Sequence, residues 1–155
     1  MGLRENLSHD SVAQLPLKEP LTVTPETTVR QTVAAMQRAR VGYALVCRGR
    51  VLAGIFTERD LIRRVLIPGV DPDSPVEPYA TPHPVTVSRA DPIAAALRIM
   101  FQGHHRHLPV VDHEGVPVGI ASVKHIVAYL VDYYPSTVYN LPPRSRQAQA
   151  AREGA

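Results

Sequence analysis

Residues 54–62 read GIFTERDLI, and the same frame returns at residues 119–127 as GIASVKHIV. Each copy opens on Gly-Ile. A hydroxyl follows one residue later, then two spacers, a polar residue and an apolar pair. The hydroxyls are Thr57 and Ser122, and the polar residues are Asp60 and His125. An internal repeat decides architecture before any single element does, because each unit must bury its apolar face against its copy.

The likeness extends upstream. PLTVTPETTVRQTVAAM (20–36) aligns with PVTVSRADPIAAALRIM (84–100), so that Pro20, Thr22, Val23 and Met36 recur as Pro84, Thr86, Val87 and Met100. Val29 and Val33 fall over Ile93 and Leu97. The offset grows by one residue between the Val46/Val110 pair and the Gly54/Gly119 pair, which places an insertion in a turn.

Each unit reads as β-α-β-β-α. LTV and VTV are short extended lead-ins. A helix follows, with Thr27 or Asp91 as expected N-cap and Pro92 at the first helical position of the second copy. Two strands come next, YALVC and VLAGIF in one copy, HLPVVD and VPVGIAS in the other. The first pair turns at Arg48-Gly49-Arg50 and the second near Glu114-Gly115. A closing helix carries Leu61, Ile62, Val65 and Leu66, matched by Ile126, Val127, Leu130 and Val131. The expected fold is α+β, with two pseudo-twofold-related units packed through their sheets and a ligand-sized cleft at the junction. The expected divisions are an N-terminal segment (1–15), a first unit (16–67), a proline-rich linker (68–83), a second unit (84–131) and a partly disordered extension (132–155).

The chain has 155 residues, 45% of them hydrophobic, and a formal net charge of +3. No run reaches the roughly 18 apolar residues a bilayer span needs, and no apolar signal core opens the chain. Cys47, the single cysteine, lies in an apolar run and reads as a buried small residue. A cytoplasmic setting follows as the simple expectation. The arginines of RSRQAQAAREGA (144–155) mildly favour anionic partners. They are too few to argue for nucleic acid, and the aromatic-and-basic platform for single strands is missing.

Thr57 and Asp60 admit two readings. In one they only cap a helix: the hydroxyl accepts from the backbone three residues on, and the carboxylate reaches back. In the other, the positive helix end and the hydroxyl meet a phosphate, while the carboxylate accepts from both hydroxyls of a ribose.

With PLTVTPETTV, GIFTERDLI and GHHRHLPVVD in this order and spacing, roughly residues 16–131 resemble a tandem of CBS domains, a Bateman module. The resemblance implies a regulatory module that binds an adenosine nucleotide (AMP, ADP or ATP, with S-adenosylmethionine or a dinucleotide as alternatives). It implies a homodimer that signals through an effector protein or through its own assembly. Carried over residue by residue, Thr57 contacts phosphate and Asp60 holds ribose, with Arg59 as a phosphate contact or a solvated helix charge. Arg106 and His107 match basic positions near the phosphates. Copy one has Gly42 and Tyr43 there, so the expected site is asymmetric.

Ser122 keeps the hydroxyl of copy two, but His125 has a single acceptor nitrogen when neutral and cannot hold two sugar hydroxyls. These two are weaker second-site candidates. His104, His105 and His107 have no partner cysteines, and alternation along an extended segment would separate them, so no metal site is expected. No P-loop, nucleophile elbow or HExxH is present, and the reading is not an enzyme. Tyr129, Tyr133 and Tyr134 read as packing rather than as a binding stripe.

Overall fold

A computed structural model of the chain describes residues 7–133. Tyr134 and the extension from residue 134 onward, with its arginine-rich end, lie outside the described residues. The elements run β1 (Thr22–Val23), α1 (Val29–Ala39), β2 (Tyr43–Arg48), β3 (Val51–Thr57) and a short α2 (Glu58–Asp60). The last continues as a π-helical segment, Leu61–Leu66. Then come β4 (Thr81–Pro82), α3 (Ile93–Gly103), β5 (His107–Val111), β6 (Pro117–Ser122) and α4 (Val123–Tyr133).

The first unit forms a sheet in the order β1-β2-β3, and β4, from the proline-rich segment that follows it, adds a fourth strand beside β3, with parallel pairing at β1/β2 and antiparallel pairing elsewhere. The second keeps the hairpin β5-β6. Its lead-in is reduced to a parallel bridge, Val87 to Val110, at the positions equivalent to Val23 and Val46. Register slips after Val46 in one hairpin and after Val110 in the other, so the bulge repeats with the sequence. The inserted residue lies in the turns beyond. Gly49 (φ 61°) opens the two-residue loop between Arg48 and Val51. In the other copy, Asp112 Oδ1 accepts from the Glu114 and Val116 N–H groups at 2.9 and 3.0 Å.

β2 shows how the units meet. It is buried on both faces, as an unbroken apolar run requires. Ala44 and Val46 point to the first unit's core with Val29, Met36, Phe56 and Val65. Tyr43, Leu45 and Cys47 point the other way, where with Ile55 they pack against Ile120 of the second unit. The second unit's core joins Val87, Ile93, Ala96, Met100, Leu108, Val110, Ala121 and Ile126 to Val12 and Leu15, which arrive from before the first unit. Tyr129 completes that core, and its hydroxyl donates to Asp10.

The helix starts differ from expectation by one residue. Thr28, not Thr27, caps α1: its Oγ1 accepts from Gln31 N–H at 3.1 Å, and Gln31 Oε1 accepts from Thr28 N–H at 3.1 Å. Thr27 is engaged one turn earlier, accepting from Thr24 N–H. In the second copy Pro92 occupies the cap position itself, with extended backbone. The Asp91 carboxylate accepts from Ser88 N–H at 2.9 Å, so it closes the preceding turn instead of capping the helix. The closing helices also bury less than their apolar pairs promised. Val65 and Ile126 are buried, whereas Ile62, Leu66 and Val127 are 52, 62 and 50% exposed. No helix among the described residues is long and apolar enough to cross a membrane.

Candidate functional site

A cleft of about 500 Å³ opens where α2 of the first unit faces the α3–β5 turn of the second. Thr57, Glu58, Arg59, Asp60 and Arg63 line it from one side, and His104, His105, Arg106 and His107 from the other. Thr81 and His83–Val85 form a third wall. Thr57, Arg59, Asp60, Arg106 and His107, which the sequence nominated, therefore border one space.

Asp60 is 8% exposed, rare for an acid without partners. Its Oδ2 accepts from the Thr57 N–H at 3.0 Å and from the Thr57 hydroxyl at 3.2 Å. Asp60 N–H in turn reaches Thr57 Oγ1 at 3.4 Å. This is the reciprocal cap expected of Thr-x-x-Asp, and it fixes both side chains at the cleft. Glu58 leans over Gly42, where a Cβ would come within 3.0 Å of its carboxylate oxygen. The small residue opposite Arg106 in the repeat thus makes room for an acid.

The second wall depends on how α3 stops. His104 takes a left-handed conformation (φ 54°), and its N–H returns to the Met100 carbonyl. His105 N–H reaches the same oxygen at 3.1 Å. The chain turns sharply and delivers residues 104–107 to the cleft. His104, His105 and His107 all border it, rather than splitting between two faces as an extended segment would require. Among the described residues no group of three or more His, Cys, Asp or Glu is arranged to hold a metal ion. Burial pushes the His107 imidazole below its ordinary value. Nearby Glu58 opposes that shift, while Arg106 and His125 add to it.

Ser122 and His125 do not line this cleft. Ser122 Oγ accepts from His125 N–H at 3.2 Å, a helix cap like that of Thr57. The His125 ring turns inward, its Nδ1 donating to the Ile120 carbonyl at 2.9 Å. A carboxylate has no proton for that bond. The Asp-to-His difference therefore closes the equivalent position of copy two onto its own strand.

Arg63, His83 and Arg64 were not legible as site residues. Arg63 and Arg64 look like solvated charges on a helix, and His83 falls in the proline-rich linker. His83 enters because β4 pairs with β3 and its own N–H bonds to the Ala53 carbonyl.

The repeated β-α-β-β-α units and the cleft between them define a two-unit repeat fold, and comparison with known proteins gives its family. The CBS-domain profile matches residues 12–67 and 70–132, so the chain belongs to the CBS-domain family as a tandem pair. The meiotically up-regulated gene 70 protein of Schizosaccharomyces pombe is 36% identical over 110 residues, 70% of this chain. The matched part spans only 15% of that protein's length. An uncharacterized 17.7 kDa protein of Acidianus ambivalens is 31% identical over 79% of this chain and 74% of its own length. Among solved structures, a CBS domain protein from Pyrobaculum aerophilum complexed with AMP superposes with a TM-score of 0.71 and 26% identity. The match covers 79% of this chain and 96% of that one. An uncharacterized conserved protein from Pyrococcus horikoshii gives a TM-score of 0.71 and 30% identity, over 78% of this chain and 92% of that one.

Proposed function

We propose that the chain is a regulatory module that binds an adenine nucleotide (AMP, ADP or ATP) in the cleft between its units, and that it is not an enzyme. The carrying observation is the convergence of Thr57, Arg59 and Asp60 with Arg106 and His107 around one space. The AMP complex of the Pyrobaculum relative supports the ligand class. Arg59 and Arg106 supply positive charge for phosphate, Thr57 a hydroxyl, and Asp60 the acceptor for ribose. Ser122 and His125 carry no second equal site in this reading. S-adenosylmethionine or a dinucleotide is a less favoured ligand.

Binding transmits a signal only if two states differ in affinity. The output in this proposal is a homodimer or an effector protein, in the cytoplasm. Thermal-shift and calorimetric titration with a nucleotide panel, repeated on Asp60→Ala, tests the reading. A selective shift that the substitution removes supports it, and no response to any adenosine ligand defeats it.

One observation favours a second reading, an interaction module without ligand. Both bonds from Thr57 end on Asp60 Oδ2, so the pair is satisfied as a helix cap alone. That reading predicts that Asp60→Asn alters stability modestly and binding not at all.

A further inference from the structure

The two oxygens of Asp60 are held differently. Oδ2 belongs to the cap with Thr57. Oδ1 faces Arg64 Nε at 3.5 Å. The same guanidinium donates through Nη1 to the Ala80 carbonyl at 3.1 Å. Thr81, the next residue, pairs with Ile55 and lines the cleft. One side chain thus joins the acid of one wall to the backbone just before Thr81 of another. A planar guanidinium suits this, since it presents several donors in a fixed fork.

The repeat adds a separate sign. The positions equivalent to Asp60 and Arg64 are His125 and Tyr129, so the acid and the arginine are absent together in copy two. There the imidazole is bound to Ile120 and the tyrosine is buried in the core. The Asp60–Arg64 pair belongs to the copy whose acid borders the cleft.

We infer that Arg64 is a positioning residue for ligand recognition: it fixes Asp60 Oδ1 as the acceptor presented to the ribose hydroxyls and anchors that geometry to the Ala80 carbonyl, one residue before Thr81 in the cleft wall. This rests on the nucleotide reading above. Without Arg64 the cap bonds to Thr57 remain, but Oδ1 loses the partner that orients it. Ribose recognition then falls while phosphate recognition by Arg59 and Arg106 does not.

Calorimetric titration of the full chain with AMP and with deoxy-AMP separates these parts. The wild type is expected to prefer AMP by about tenfold, the scale of one hydrogen bond to a charged acceptor. Arg64→Met is expected to bring that ratio close to one, and Arg64→Lys, which reaches one acceptor rather than two, to leave an intermediate ratio. If Arg64→Met keeps the wild-type ratio, the inference is overturned while the nucleotide reading stands. Should Arg64→Met fail to fold, an unchanged ratio in Arg64→Lys overturns it equally. A wild type that binds neither ligand, or both alike, defeats the ribose role of Asp60 and the role of Arg64 with it.

Discussion

Tyr43 and His107 occupy equivalent positions in the two repeats, and they meet each other, with ring centroids 5.3 Å apart and planes tilted by 43°. Tyr43 stands opposite Thr57 in its hairpin and His107 opposite Ser122 in the other. The two helix caps are thus joined through a ring contact between the units, at the edge of the cleft. The Tyr43 hydroxyl accepts from Leu21 N–H at 3.3 Å, tying the contact to the first lead-in strand. Burial raises the pKa of that hydroxyl, so it stays neutral in the physiological range.

The depressed pKa of His107 gives a pH dependence whose sign is fixed. Above the ordinary value of 6.5 neither the folded nor the unfolded imidazole carries a proton, and the full stability is present. As pH falls through 6.5 the unfolded chain takes up the proton first, so stability is lost toward acid. His107→Phe keeps a ring against Tyr43 and removes that proton. Denaturant melts between about pH 5 and 8 should show a shallower acid-side loss in the variant. Identical slopes would exclude His107 as a source.

The caps at Thr57 and Ser122 are expected to contribute similarly to stability. Thr57→Ala and Ser122→Ala each remove the acceptor for a helix-start N–H, at a cost of about 1 kcal/mol. Thr57→Ser should restore most of the loss. Urea titrations that leave Thr57→Ala as stable as the wild type would contradict the cap.

Gly103 offers a test in which stability and site geometry part company. It lies in α3 with no positive φ, so alanine is compatible with its backbone. A Cβ there would come within 2.4 Å of the His105 ring, which must then move. Gly103→Ala should leave the melting temperature unchanged or raise it, since alanine gains up to about 1 kcal/mol over glycine in a helix. The imidazole resonances of His105 should shift, and nucleotide affinity should fall if that ring borders the bound phosphate. An unperturbed His105 spectrum would refute the crowding.

Much of this fold was legible because the repeat constrained it twice. Any strand proposed in one copy had to find its counterpart in the other, and YALVC and HLPVVD did so at β2 and β5. The frame Thr-x-x-Asp located one wall of the cleft. The facing wall was only half legible. Arg106 and His107 came from the family pattern, but the left-handed residue of the turn that brings His104 and His105 with them is His104 itself and not the Gly103 before it. Arg64 resembles a solvent-facing helix charge until tertiary structure gives it the Asp60 carboxylate and the Ala80 carbonyl, and Arg63 until the cleft forms beside it. Thr32 is a comparable case in the core: it is fully buried within α1, and its hydroxyl donates to the Thr28 carbonyl at 2.8 Å. Its polar side chain broke the apolar periodicity that would have marked it.

The junction between units should carry a large share of stability. Ile120 is 3% exposed and is the residue of the second unit that enters the cluster of Tyr43, Leu45, Cys47 and Ile55. Ile120→Ala should cost about 2–5 kcal/mol, the range for emptying a packed core site. Ile120→Val removes one methylene and should cost only about 0.5–1.5 kcal/mol. A small effect of the alanine variant would show that the sheets do not depend on each other.

The proposed homodimer has a specific surface to test. Leu66 and Ile67 at the end of the π-helical segment are 62 and 75% exposed, and Val123 and Val127 on α4 are 44 and 50% exposed. Both closing helices thus present apolar side chains outward, at the end of the first and the start of the second. Exposed apolar groups of this kind gain by covering one another, and a twofold pairing covers both sets at once. Leu66→Asp with Val127→Asp should convert a dimer to a monomer in light scattering after gel filtration. The fold should persist, because neither side chain contributes to a core. A double variant that remains dimeric would move the interface to another face.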